Sequence, residues 1–319
     1  QTICAHHTRG NMLQLTENTL IHLDTPTTLS TQLTQIPIQG WIISHSPIRH
    51  IAVSGKNTYK LQLVERPDVT AAYPNYPYIQ GFIDIIPSAW LTDQSLSLNI
   101  TLEQQEITHK FTFPPAEAAD LSIQLSFLKN INNQLYNLDV AQQCSQMRAT
   151  PVHINIEITN RCNLSCPTCA RNYWDNDKNP IGDMPLELIE TLRPYLERAS
   201  FVGLLGYGEA VLSPNFKQIM WFVRQFNPRI AMFNNGTTLG PKIADLILDA
   251  GIHGLIISLD GATEATIQHT RTASLTTILR NINQLRQRVV QNVICKCQDS
   301  VSVLPPAVSI LMNCPTWWT

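Results

Sequence analysis

The 319-residue sequence predicts a two-part chain: an all-β sandwich followed by an α/β domain with a parallel sheet. Three observations predict it. Short runs that alternate apolar and polar residues recur between residues 27 and 113, with no helical stretch among them. Pro114 and Pro115 then break the pattern. From residue 152 onward, strand-like apolar segments take turns with amphipathic helical ones.

In the β region, residues 41–44, 48–53, 59–64, 81–86, 95–102 and 107–113 suit strands, because period-two alternation turns every second side chain toward a core. Ser54-Gly55-Lys56-Asn57 and Glu103-Gln104-Gln105-Glu106 suit the turns between them. Strands at this spacing predict a β-sandwich over residues 20–115, interrupted by a Pro- and Tyr-rich loop at 65–80. Gly40-Trp41, Arg66-Pro67-Asp68-Val69, Pro74 and Gly81-Phe82 resemble small β-sandwich modules appended to bacterial glycosyltransferases and methyltransferases. The resemblance leaves the module's role open.

Residues 116–147 read as helical, since Leu121, Leu125, Leu128, Ile131, Leu135 and Leu138 fall at helical spacing. We read that stripe as packing, and the segment 116–150 as a helical linker to a domain over 151–290. That domain holds four strand–helix units. A strand at 152–158 leads to a helix at 185–197 with Asp183 near its N-cap. A strand at 201–205 leads to a helix at 214–226 capped by Ser213. A strand at 230–233 leads to a helix at 241–248 stopped by Gly251, and a strand at 255–259 to a helix at 275–286. Successive units of this kind predict a parallel sheet covered by helices, with ligands at the C-terminal strand ends. No Gly-x-Gly-x-x-Gly opens a helix, so a dinucleotide-binding fold is unsupported.

The loop after the first of these strands carries Cys162, Cys166 and Cys169 in a C-x3-C-x2-C pattern. Three thiolates on one short loop can wrap a single metal centre. An iron–sulfur cubane held by three thiolates keeps one iron open for a ligand. The spacing alone also allows a zinc site closed by a distant fourth ligand such as Cys144 or His153.

Three further motifs follow, each at a strand end: Gly206-Tyr207-Gly208-Glu209, Asn234-Asn235-Gly236-Thr237 and Ser258-Leu259-Asp260-Gly261. Together with the cysteine loop they resemble the radical S-adenosylmethionine (SAM) superfamily. The resemblance implies a partial (β/α) barrel, a partial TIM barrel normally of six units. Because only four are legible, the barrel is expected to be C-terminally incomplete, with 291–319 an unassigned tail. It also implies that Cys162, Cys166 and Cys169 hold a 4Fe-4S cluster whose open iron binds SAM. Reductive cleavage of SAM then yields a 5′-deoxyadenosyl radical that abstracts hydrogen from a substrate. The implied SAM contacts are Gly208, Glu209, Asn235, Ser258, Asp260 and Arg271. Tyr207 and Ala210 depart from the family's Gly-Gly-Glu-Pro wording at their positions. Implied partners are a low-potential electron donor, flavodoxin or ferredoxin, and an unknown substrate, a peptide or a small metabolite. Residues acting on that substrate are not identifiable from the sequence. The alternative is a non-catalytic metal-binding or adaptor protein that uses the β-sandwich for recognition.

Bulk composition adds exclusions. A net charge of -2 with 14% charged residues points to neither nucleic acid nor another strongly charged partner. No apolar run approaches the roughly 20 residues of a membrane helix. The N-terminus has no signal-peptide pattern, and eight cysteines in a chain of this length do not make a disulfide scaffold, so a cytoplasmic protein is expected. Cys295, Cys297 and Cys314 lack the spacing of a second cluster and read as incidental thiols.

Overall fold

The computed structural model describes residues 11–54, 58–117, 120–175, 177–299 and 309–313. The chain divides into two compact units, Gln1–Val152 and His153–Thr319.

The first unit is β-rich. Its strands are β1 (Asn11–Thr16), β2 (Thr19–Thr25), β3 (Gln35–Ser44), β4 (Ile48–Ser54), β5 (Thr58–Lys60), β6 (Gln62–Val64), β7 (Tyr78–Pro87), β8 (Ser95–Leu102) and β9 (Glu106–Thr112). They form two antiparallel sheets, ordered β1-β2-β3-β7-β6 and β5-β4-β8-β9. Ile38, Ile42 and Phe82 from the first sheet share one core with Ile51, Leu98 and Ile100 from the second. The alternation in β8 puts Leu96, Leu98, Ile100 and Leu102 on one face. The strands β1 and β2 and the first half of β3 exceed the sequence expectation. In β3, Ile36, Ile38 and Ile42 join one core while Trp41 and Ile43 join another, so its C-terminal half is buried on both faces. The turn at Ser54-Gly55-Lys56-Asn57 lies partly outside the described residues.

The Gly-Trp and Arg-Pro-Asp-Val residues serve one packed face. Arg66 bonds Asp24 at 2.7 Å and Asp68 at 2.8 Å, opening the short helix α1 (Pro67–Ala72) inside the segment expected to be loop. A Cβ at Gly81 would come within 2.5 Å of Arg66 Cγ, and one at Gly40 would overlap the His22 carbonyl oxygen. Trp41 stacks on His22 at 5.2 Å and packs with Val69 and Tyr73. The helix α2 (Asp120–Ala141) packs on β3 and β7, with Leu125, Leu128, Ile131 and Leu135 buried. It thus belongs to the first unit, whose boundary falls after Val152.

The second unit runs β10 (His153–Ile156), α3 (Leu186–Thr191), α4 (Arg193–Leu196), β11 (Phe201–Leu204), α5 (Phe216–Arg224), β12 (Arg229–Asn234), α6 (Pro241–Asp249), β13 (Gly254–Ser258), α7 (Glu264–Arg271), α8 (Leu275–Asp299) and β14 (Ser309–Asn313). Its sheet is parallel throughout, ordered β10-β11-β12-β13-β14. Val202, Leu204, Ile230, Met232, Leu255 and Ile257 are buried beneath the helices. The alternate positions Asn155, Gly203, Ala231 and Gly254 form one in-register row on the other face.

Several expectations are corrected. The helix expected over 185–197 breaks in two at Pro194, which has no N–H to continue the ladder. Asp183 does not cap it; its carboxylate takes the Arg161 guanidinium at 2.9 Å instead. Asn215, not Ser213, is the N-cap residue of α5. The helix α7 was not expected: its many Thr and polar residues carry little apolar pattern, but Thr263 caps it by accepting the Thr266 N–H. The tail is not without elements. It supplies the end of α8 and the fifth parallel strand β14, paired to β13 from Gly254↔Ser309 to Ser258↔Asn313. A short apolar run such as Ile310-Leu311-Met312 has no period from which to read a strand. Cys314 lies outside the described residues. Among those residues no helix is long and apolar enough to cross a membrane.

Candidate functional site

The loops that leave the C-terminal ends of β10 to β13 meet around a cavity of about 260 Å³. Cys162, Cys166, Cys169, Glu209, Asp260 and Arg271 all line it.

The cysteine loop begins on a backbone stretch, 157–161, that runs against the turn after β11. A Cβ at Gly208 would overlap the Thr159 carbonyl oxygen, so only glycine permits this approach. Glu209 N–H donates to Arg161 O at 2.7 Å, and Tyr207 N–H donates to Glu157 Oε1 at 2.6 Å. Side chains then shape the loop itself. Arg171 donates to Leu164 O at 2.8 Å, and Asn172 Nδ2 donates to Cys166 O at 2.6 Å. The three cysteines are free thiols and half-buried. Burial pushes the Cys166 thiol up, with the Arg271 charge opposing it.

Glu209 is 3% exposed, and both of its carboxylate oxygens are engaged. One accepts from Asn234 Nδ2 and the other from Asn235 N–H at 2.9 Å. Burial pushes its pKa up to about 7, while the Asn235 N–H and the Arg271 charge oppose that rise. Asn235 Nδ2 donates to Asn163 Oδ1 at 2.9 Å, and Asn163 Nδ2 donates to Thr237 Oγ1 at 2.9 Å. Gly236, at φ +78°, makes the turn between Asn235 and Thr237. The buried Asn281 of α8 secures that turn by donating to the Gly236 and Thr237 carbonyls, each at 3.0 Å.

Arg271 ends α7 with its Nε 2.7 Å from Asp260 Oδ2. The N–H is not directed at that oxygen, so a buried donor on the cavity wall lacks an acceptor.

A family model described as the Radical SAM superfamily matches residues 156–297, which contain every one of these side chains. Residues 156–297 are a radical SAM domain. The chain is 25% identical over 111 residues to a tungsten-containing aldehyde ferredoxin oxidoreductase cofactor-modifying protein of Pyrococcus furiosus, covering 34% of this chain and 30% of that one. It is 25% identical over 171 residues to a 7,8-dihydro-6-hydroxymethylpterin dimethyltransferase of Methanocaldococcus jannaschii, covering 52% and 32%. It is 26% identical over 114 residues to a mycofactocin maturase of Mycobacterium ulcerans, covering 35% and 30%. The chain thus spans about a third of the length of these relatives.

Members of the family use a 4Fe-4S cluster and SAM. The radical SAM domain fits such groups in its donor set: three thiols, a carboxylate and an unsatisfied guanidinium N–H around one polar cavity. A closed zinc site is less well served. His153 opens β10 at the end remote from the cysteine loop, against Phe201.

All nine residues expected at the site from the sequence line the one cavity: Cys162, Cys166, Cys169, Gly208, Glu209, Asn235, Ser258, Asp260 and Arg271. Two of them do more than line it. The Glu209 carboxylate and the Asn235 amide are committed to holding loops together. Sequence reasoning missed Glu157, Asn163, Thr237 and Asn281. Thr237 lies in the Asn-Asn-Gly-Thr motif and Asn163 in the cysteine loop, but Asn281 sits mid-helix with no motif to flag it.

Proposed function

We propose that this chain is a radical SAM enzyme. One observation carries the reading: the cysteine loop, Glu209, Asp260 and Arg271 converge on one cavity at the C-terminal ends of successive parallel strands. Cys162, Cys166 and Cys169 hold a 4Fe-4S cluster as its thiolate ligands. Gly208, Glu209, Asn235, Ser258, Asp260 and Arg271 form the SAM site, Glu209 and Asn235 also keeping its loops in register.

When bound, these groups supply a 5′-deoxyadenosyl radical that takes a hydrogen atom from the substrate. The chain's own part is placement. Arg271 offers its unpaired Nε–H and positive charge to a carboxylate, and Asp260 offers acceptors to hydroxyl or amino groups. The electron comes from a low-potential donor, a flavodoxin or ferredoxin. The substrate is a peptide or a small metabolite. A reducing compartment, the cytoplasm, suits the free thiols. The first unit acts as a β-sandwich accessory domain.

Anaerobic reconstitution with iron and sulfide tests this. We expect about four irons per chain, the content of one cubane. With dithionite and SAM, 5′-deoxyadenosine and methionine should accumulate. A chain that takes up one zinc and no iron is instead the metal-binding adaptor.

A further inference from the structure

On the radical SAM reading, we infer that Glu157 is a positioning residue that sets SAM affinity by tethering the turn after β11 to the root of the cysteine loop. Glu157 follows β10 directly and stands five residues before Cys162. Its Oε1 accepts the Tyr207 N–H at 2.6 Å, the tightest polar link between these two segments. Its side chain lies flat across Gly206, where a Cβ would overlap the carboxyl group. Gly206 is therefore the glycine that admits Glu157, as Gly208 is the glycine that admits the Thr159 carbonyl.

Three contacts at alternate steps close this seam: Glu157 to Gly206 and Tyr207, Thr159 to Gly208, and Arg161 to Glu209. The last two are made by backbone and are independent of side-chain identity. Only the first can be lost by substitution on the β10 side. It is also the contact next to Tyr207, the residue that departs from the family's wording. Tyr207 is 49% exposed and sits edge-on to Trp174 at 4.7 Å, so little packing fixes its backbone apart from the carboxylate. Gly206, Tyr207 and Gly208 all line the cavity, so freeing that amide loosens one wall of it. A wall that must be ordered on binding lowers affinity for whatever fills it.

The tether needs an acceptor, not a charge. Oε2 of Glu157 makes no hydrogen bond among the described residues, so a glutamine can turn its carbonyl oxygen to Tyr207 and its amino group away. A residue that held SAM by direct charge contact would not tolerate that change. The two roles separate on this point.

The test uses the reconstituted full chain and SAM itself as the probe. SAM binding is measured by equilibrium dialysis, and amide exchange across residues 206–209 by mass spectrometry. Glu157→Ala should keep the iron content of the wild type, lose roughly tenfold or more in SAM affinity, and exchange the Tyr207 amide faster. Glu157→Gln should restore both. Gly206→Ala should displace the carboxyl group and mimic Glu157→Ala, yet add nothing in the Glu157→Ala background. Unchanged exchange in Glu157→Ala overturns the tether. Glu157→Gln as weak as Glu157→Ala overturns the positioning role in favour of charge. A wild-type chain that binds iron but ignores SAM overturns the enzyme reading and the affinity claim, while the exchange data still judge the tether.

Discussion

Asn235 Nδ2 donates to Asn163 Oδ1 at 2.9 Å, joining the loop after β12 to the middle of the cysteine loop. Thr237 completes the link by accepting from Asn163 Nδ2 and donating to Asn235 Oδ1. Asn163 stands next to Cys162, so this amide pair sets where the first thiol emerges. Asn163→Ala should remove two hydrogen bonds at a largely exposed position and cost about 1 kcal/mol in stability. The cluster should still form, but iron should be released faster on exposure to a chelator. Iron loss at the wild-type rate would show that the cysteine loop needs no such brace.

The cysteines themselves give the sharpest division. Replacing Cys162, Cys166 or Cys169 by Ala should abolish the visible absorption of the reconstituted cluster. Cys144→Ser should leave it intact, because the three thiols of the cysteine loop already share one cavity. The triple change Cys295→Ser, Cys297→Ser and Cys314→Ser should also leave iron content near four per chain, the content of one cubane. Iron at twice that level, lost on the triple change, would mark a second cluster.

Arg271 and Asp260 should govern SAM and not iron. Asp260→Ala and Arg271→Ala should each keep the cluster and blunt the change that SAM makes in the magnetic resonance spectrum of the reduced protein. Arg271→Lys should rescue poorly, since a lysine ammonium lacks the planar, forked donor set of a guanidinium. Spectra that respond to SAM as in the wild type would remove both residues from the binding site.

Glu209 makes stability depend on pH. Burial holds its folded pKa near 7, above the ordinary glutamate value, so the folded chain keeps a proton that the unfolded chain releases between those two values. Its contribution therefore weakens as pH rises through that window, by at most about 3 kcal/mol at one pKa unit per 1.36 kcal/mol. Glu209→Gln, neutral throughout, should gain stability relative to the wild type between pH 5 and pH 8. Thermal melts of the cofactor-free chain at both values check the sign. An equal difference at the two pH values would mean the carboxylate is already ionised in the fold.

The first unit should fold by itself, but only with its helix. A fragment of residues 11–152 should melt cooperatively with a β-rich circular dichroism spectrum. A fragment of 20–115 should be markedly weaker, because it omits β1 and uncovers the face of β3 and β7 on which Leu128 and Ile131 are buried. Equal stability of the two fragments would restore α2 to the status of a linker.

Much of the order of elements and the chemistry of the cavity were legible in the sequence. Alternation marked six strand-like runs in the first unit, one of which, 59–64, divides between β5 and β6 in different sheets, and strand–helix units placed the cysteine loop and three motifs at successive strand ends. Parallel-sheet topology then gathers such ends on one side, whatever the details of packing. What it left out was decided by tertiary contacts. Strand β14 is a short apolar run, so it shows no period to read. The helix α2 belongs to the first unit because its leucines meet β3 and β7, which are distant in sequence. Glu157, Asn163 and Asn281 act through partners 50, 72 and 45 residues away, and no local pattern encodes a hydrogen bond of that span. The sequence names the groups that do the chemistry, while the fold alone selects the neighbours that hold them in place.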